Sequence, residues 1–287
     1  MSTLTLNNES LCFGGKVQFY QHFSSSCDTE MRFAVYLPPQ AQSESVPVLY
    51  FLSGLTCSEE NFITKAGAQR FAAKYGLMLV IPDTSPRNTG IPGEDERWDL
   101  GTGAGFYVDA TQQPWSKHYQ MYSYVVEELP ELINQSFPVI PERKSIFGHS
   151  MGGHGALVCA LKNPQLYQSV SAFAPISAPI RSGWGQQVFT AYLGPEQDQW
   201  RQYDASELVL RGDLHKPILI DVGTADPYLA QGELMPEAFE HACKQVGQVL
   251  TLRMQPNYDH SYYFVSSFIE DHLRHHAAAL DPQFSKV

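Results

Sequence analysis

The sequence has no C-x-x-C spacing, and its five cysteines (Cys12, Cys27, Cys57, Cys159 and Cys243) are odd in number and widely scattered. That argues against a disulfide framework and against a zinc site, and points to reduced thiols in a cytoplasmic protein. Long apolar runs are missing as well. The longest mainly apolar stretch, residues 46–55, is far too short to span a bilayer. The first residues, M-S-T-L-T-L-N-N-E-S, lack the basic segment and apolar run of a secretory signal. Basic residues are in deficit, 19 against 30 acidic ones, and the net charge of -11 would repel a phosphate backbone or an anionic lipid surface. Neither nucleic acid nor membrane is therefore an expected partner, and no metal or cofactor is expected. With no repeat, low-complexity tract or long linker, residues 1–287 are read as one domain.

What is present is core-forming material: 43% hydrophobic and 12% aromatic residues with only 17% charged. Eight runs suit strands, at 16–23, 31–37, 48–53, 78–82, 144–148, 169–174, 218–222 and 250–254. The first two alternate, as antiparallel strands with one wetter face do. Most later ones are short and continuously apolar, as in V-L-Y-F-L and L-M-L-V-I, which suits parallel strands covered on both faces. Helical segments fall between them at 59–75, 119–137 (with a break at Pro130), 151–163, 235–246 and 262–279. The expected fold is α/β, an eight-stranded, mostly parallel sheet with helices on both faces. Two Gly- and Pro-rich or irregular stretches, about 83–118 and 175–215, are expected to roof the carboxyl ends of the strands, where active-site groups collect.

The strand K-S-I-F runs into Gly148-His149-Ser150-Met151-Gly152, a G-x-S-x-G motif, with a helix directly after it. This is the nucleophile elbow of the α/β-hydrolase fold, in which a sharp turn lifts the serine hydroxyl above the sheet. A serine hydroxyl is a poor nucleophile, so a histidine base and an orienting acid must follow in the order Ser, Asp or Glu, His. Asp226 lies just beyond the strand at 218–222, whereas Asp221 lies inside it and is read as a structural carboxylate. Of the later histidines, His260 alone sits in a turn after the last strand. His241, His272, His275 and His276 fall in helices and read as solvated or packing residues. His149 and His154 flank the elbow but precede the acid, so they read as supporting or packing groups. The expected oxyanion donors are the N–H of Met151, directly after the serine, and that of Leu55 in the loop Ser53-Gly54-Leu55-Thr56-Cys57. Cys57, Trp184, Phe106 and Tyr107 are expected to line the pocket.

These motifs carry a resemblance that covers nearly the whole chain. S-G-L-T-C at 53–57, T-K-A-G-A-Q at 64–69, P-D-T-S-P-R at 82–87, G-A-G-F-Y-V-D-A-T at 103–111, G-H-S-M-G-G-H-G-A at 148–156 and Y-D-H-S-Y-Y-F at 258–264 resemble the S-formylglutathione hydrolase family, also called esterase D. The resemblance implies hydrolysis of S-formylglutathione to glutathione and formate, the second stage of formaldehyde detoxification, through Ser150, Asp226 and His260. Two positions depart from many relatives: Gln186 and Gln187 stand where a lysine follows Trp-Gly, and Val222 makes D-V-G of D-Q-G. Those changes leave the acyl chemistry intact and bear on how the peptide part of glutathione is held. The alternative is a general short-chain carboxylesterase, or an acyltransferase of the same fold. A non-catalytic module would require a missing triad member, and none is missing. The expected partner is a small acyl thioester or ester, and a homodimer is one assembly the chain allows.

Overall fold

The apolar runs become strands of one nine-stranded sheet in the computed structural model, which describes residues 3–281 and Phe284. The strands are β1 (Thr5–Cys12), β2 (Gly15–Ser24), β3 (Thr29–Leu37), β4 (Val46–Leu52), β5 (Met78–Pro82), β6 (Val139–His149), β7 (Val170–Phe173), β8 (Ile218–Gly223) and β9 (Leu250–Gln255). Their order is β1-β2-β3-β5-β4-β6-β7-β8-β9, antiparallel from β1 through the β3/β5 pair and parallel from β5 to β9. Every residue of β4, β5, β7 and β8 is buried, as their unbroken apolar runs require.

The expected count of eight is corrected to nine by β1, an edge strand whose residues are exposed on both faces. Such a strand has no apolar alternation to read. It is held instead by a tight hairpin through Phe13 (φ 47°) and Gly14 (φ 75°), both in the left-handed region that two-residue hairpin turns demand. Two helical expectations change as well. The segment 59–75 is two helices, Glu59–Lys65 and Gln69–Tyr75, parted at Gly67 (φ 66°). The segment 119–137 contains a π-helical turn, Tyr124–Glu128, just before Leu129–Ser136, where Pro130 has no N–H to extend a regular ladder.

Side chains alternate along β7, so its two faces can be told apart. Ser171 and Phe173 meet the C-terminal helix Tyr262–Leu280, while the elbow helix Met151–Lys162 covers the opposite side. Against the C-terminal helix runs a buried polar chain. Asp221 accepts from Arg253 (Nε, 2.6 Å) and lies 3.3 Å from His272 Nε2. His272 Nδ1 meets the Ser171 hydroxyl (2.8 Å), which meets His276 Nε2 (2.8 Å). His276 Nδ1 meets Ser169 (2.7 Å), which meets Ser145 (2.8 Å). Asp221 is thus a structural carboxylate, spent on Arg253 and on this chain.

Burial holds these imidazoles neutral. His149 and His276 are pushed well below the ordinary value of 6.5, His272 is lowered, and His154 is pushed down to about 4, desolvation being the largest cause in each case. Below about pH 6.5 the unfolded chain therefore binds protons at sites the folded chain leaves empty. Stability is complete above that pH and falls as pH drops. At pH 5 His154 alone removes about 2 kcal/mol, and the other imidazoles add to it. The unfolding free energy from denaturant titrations should be lower at pH 5.0 than at pH 7.5. Equal stability at the two values would show that the buried imidazoles protonate within the fold.

Candidate active site

Strand β6 ends at His149, and Ser150 follows at φ 59° and ψ -122°, a strained conformation for a residue with a side chain. Packing enforces the strain. A Cβ on Gly148 would run into the Gly152 carbonyl, and one on Gly152 into the Leu52 carbonyl, so strand and helix meet more closely than other residues permit. The helix that starts at Met151 is buried from Met151 through Leu161 and takes its first backbone bond from His154 N–H to Ser150 O (3.0 Å). Ser150 is therefore its N-cap, with unbonded backbone N–H groups beside the hydroxyl.

Beyond β8, Asp226 caps the short helix Pro227–Ala230. Its Oδ1 accepts from the N–H groups of Tyr228 (2.8 Å) and Leu229 (3.4 Å), and its Oδ2 lies 2.5 Å from His260 Nδ1. A carboxylate can only accept, so Nδ1 carries the hydrogen and Nε2 is left to take a proton. The loops bearing the two residues are stitched together: Thr224 N–H donates to Gln255 O (2.9 Å), Ala225 N–H to Tyr258 O (2.9 Å) and Asn257 N–H to Thr224 Oγ1 (2.9 Å). The His260 ring is wedged between those of His149 (centroids 4.5 Å) and Tyr228 (4.7 Å, edge on).

The candidate oxyanion loop follows β4. Gly54 is needed for close approach: a Cβ there would stand 3.1 Å from Ser150 Cβ and 3.3 Å from the His149 carbonyl. Among the described residues no acceptor engages the N–H of Leu55 or of Met151. The rest of the loop is tied down. Thr56 N–H donates to Gly103 O (2.9 Å), and the Cys57 carbonyl accepts from Thr84 Oγ1 (2.5 Å) and Arg87 Nη2 (3.0 Å). Arg87 is itself gripped by both oxygens of Asp83 (2.7 and 2.8 Å). The P-D-T-S-P-R motif is thus a clamp on the candidate oxyanion loop.

These elements surround a cavity of about 400 Å³ lined by the loop 54–57, His149, Ser150, His260, Ser261, Tyr262 and three roof aromatics, Trp98, Trp184 and Tyr228. Of the expected pocket residues, Cys57 and Trp184 line it. Phe106 and Tyr107 do not, and the expectation is corrected: both are completely buried. The Tyr107 hydroxyl donates to Ser53 O (2.8 Å) and its ring packs on Gly155, while the Phe106 carbonyl meets His154 Nε2 (3.1 Å). They support the elbow from beneath. Trp98 takes the place assigned to them, half exposed and edge on to Trp184 at 5.2 Å. Burial raises the Cys57 thiol above its ordinary range, which suits a wall rather than a nucleophile. Tyr228 was findable from its place two residues after Asp226; Trp98 had no such signal. Gln186 and Gln187 are outside the lining. Gln186 donates to Ile180 O (3.0 Å), and the Gln187 amide lies against the Arg97 guanidinium, which pairs with Asp99 (2.8 Å). Among the described residues no group of three His, Cys, Asp or Glu is placed to hold a metal ion.

A strained serine elbow, a His–Asp pair and free N–H groups over a mostly parallel sheet are the parts of an α/β-hydrolase esterase. A family model described as putative esterase matches residues 24–275, and the chain belongs to that family. Within it, the chain is 56% identical to the S-formylglutathione hydrolase of Mus musculus, over 94% of this chain and 96% of the relative. It is 51% identical to the enzyme of that name from Paracoccus denitrificans, covering 95% and 97%. The solved structure of an S-formylglutathione hydrolase from Agrobacterium tumefaciens superposes with a TM-score of 0.94 at 50% identity, covering 96% of this chain and all of that one.

The narrow gap at Gly54 gives a direct test of the loop. Gly54→Ala is expected to displace the Leu55 N–H by a few tenths of an ångström and lower kcat on p-nitrophenyl acetate by about tenfold, with little change in KM. Wild-type kcat in a folded Gly54→Ala protein would show that this loop does not serve the reacting carbonyl.

Proposed function

We propose that this enzyme hydrolyses S-formylglutathione to glutathione and formate through a formyl-enzyme on Ser150. The observation that carries the reading is the meeting of Ser150, the His260–Asp226 pair and the unengaged N–H groups of Leu55 and Met151 at one cavity. Relatives at 51–56% identity bear the name of that activity. His260 Nε2 takes the Ser150 proton as Oγ bonds to the formyl carbon. The carbonyl electron pair moves onto oxygen, facing the N–H groups of Leu55 and Met151, each worth about 3 kcal/mol there. Collapse breaks the C–S bond, and the leaving thiolate takes the proton from His260. A thiol pKa of about 8.5 makes that departure far easier than loss of an alkoxide. Water then gives its proton to His260 and attacks the formyl carbon. Formate leaves, and Ser150 recovers its proton. Asp226 holds the ring in the required tautomer and balances the imidazolium in both stages. The five cysteines are all free, in keeping with work in a reducing cytoplasm.

Ser150→Ala, Asp226→Asn and His260→Ala should each lower kcat by a factor on the order of 10⁴ or more, and the triple variant should be hardly worse, because the three act as one unit. Asp221→Asn should instead lower thermal stability and spare kcat, since its carboxylate belongs to Arg253 and His272. The reverse pattern, with Asp226→Asn active and Asp221→Asn folded but dead, would overturn the choice of acid. Acyl length gives a second test. With Trp184 and Tyr228 packed at 4.8 Å over His260, one- and two-carbon acyl groups should turn over at least tenfold faster than octanoyl. Equal rates on acetyl and octanoyl esters would refute a narrow acyl site.

A further inference from the structure

A second hollow adjoins the reacting cavity. Ser261 and Tyr262 line both, and beyond them the second, of about 580 Å³, is bounded by Lys65 and Tyr263. Lys65 is the last residue of the helix Glu59–Lys65, its side chain is exposed, and its ammonium lies 5.8 Å from the centre of the Tyr262 ring. Tyr263 is 85% exposed, an unusual position for a large aromatic. Among the described residues no carboxylate lies within ion-pair distance of Lys65, and neither hollow is lined by Asp or Glu. In a chain of net charge -11, an unpaired cation at the edge of the reacting cavity is a marked asymmetry. The other basic group near the roof, Arg97, is already spent on Asp99 and Gln187.

We propose that this second hollow is the carrier subsite, in which Lys65 takes a carboxylate of the thiol carrier and Tyr263 packs against its peptide backbone. The inference rests on the thioester reading above. Glutathione fits it chemically, because its thiol sits mid-chain and a carboxylate stands at each end, so a thioester whose carbonyl carbon lies beside Ser150 Oγ must send an anionic arm out of the cavity. Asp259 stands nearby, but its carboxylate is turned back onto the N–H (3.0 Å) and hydroxyl (2.7 Å) of Ser261.

The test compares Lys65→Ala, Lys65→Glu and Tyr263→Ala with wild type on S-formylglutathione and on p-nitrophenyl acetate, which has no carrier. S-methylglutathione, which cannot be hydrolysed, serves as a competitive inhibitor of the ester reaction. Lys65→Ala is expected to raise KM for S-formylglutathione and Ki for S-methylglutathione roughly three- to fivefold, and Lys65→Glu by at least tenfold, with kcat held and the effect fading in high salt. Tyr263→Ala should raise both several-fold without salt dependence. Unchanged KM and Ki in Lys65→Glu would overturn the subsite. A wild type that leaves S-formylglutathione intact while cleaving the ester would overturn the substrate reading instead, and the inhibitor arm would still judge the subsite on its own.

Discussion

The close approach of the Leu52 carbonyl to Gly152 is the constraint on which the site is built. It draws the end of β4 against the start of the elbow helix, and two further features follow. Ser150 is held at a positive φ that its own side chain disfavours, at a cost of about 1–3 kcal/mol that the surrounding buried helix and strands offset. The loop after β4 is brought so near the serine that a Cβ at position 54 would stand 3.1 Å from Ser150 Cβ. The candidate nucleophile and the candidate oxyanion loop are thus set by one backbone contact, and the Asp83–Arg87 clamp fixes the far end of that loop.

Much of this was legible because it rests on local pattern. An apolar strand, G-x-S-x-G and a helix read as an elbow without any tertiary information. Asp226 and His260 were separable from their rivals because each lies just past the end of a strand. What was hidden depends on long-range packing. Phe106 and Tyr107 sit in a Gly-rich segment whose aromatics could point either way; both adopt positive φ (48° and 53°), and the reversed chain drives them under the elbow helix. Strand β1 is exposed along almost its whole length and pairs with β2 alone. His272 and His276, read as solvated or packing residues, are buried on one face of their helix, four residues apart, opposite Ser169 and Ser171 two apart on the sheet side. Those two spacings are the signal that could have matched them.

The roof shows how one set of aromatics serves both shape and chemistry. Trp98 meets Trp184, Trp184 meets Tyr228, and Tyr228 meets the edge of the His260 ring, a continuous run from solvent to the candidate base. Asp226 itself is 1% exposed, so its bond to His260 lies in a setting of low polarity, where it is stronger than it would be in solvent.

The histidine chain beneath the sheet has a mechanical consequence. Apolar contacts between a helix and a sheet tolerate small slides and rotations, because one methyl can be exchanged for another. Hydrogen bonds between His272, Ser171, His276 and Ser169 do not, since each has one direction and one partner. They act as the teeth of a rack, fixing the axial and angular setting of the C-terminal helix. His260 lies two residues before that helix begins, so its loop inherits a setting indexed from the far side of the sheet.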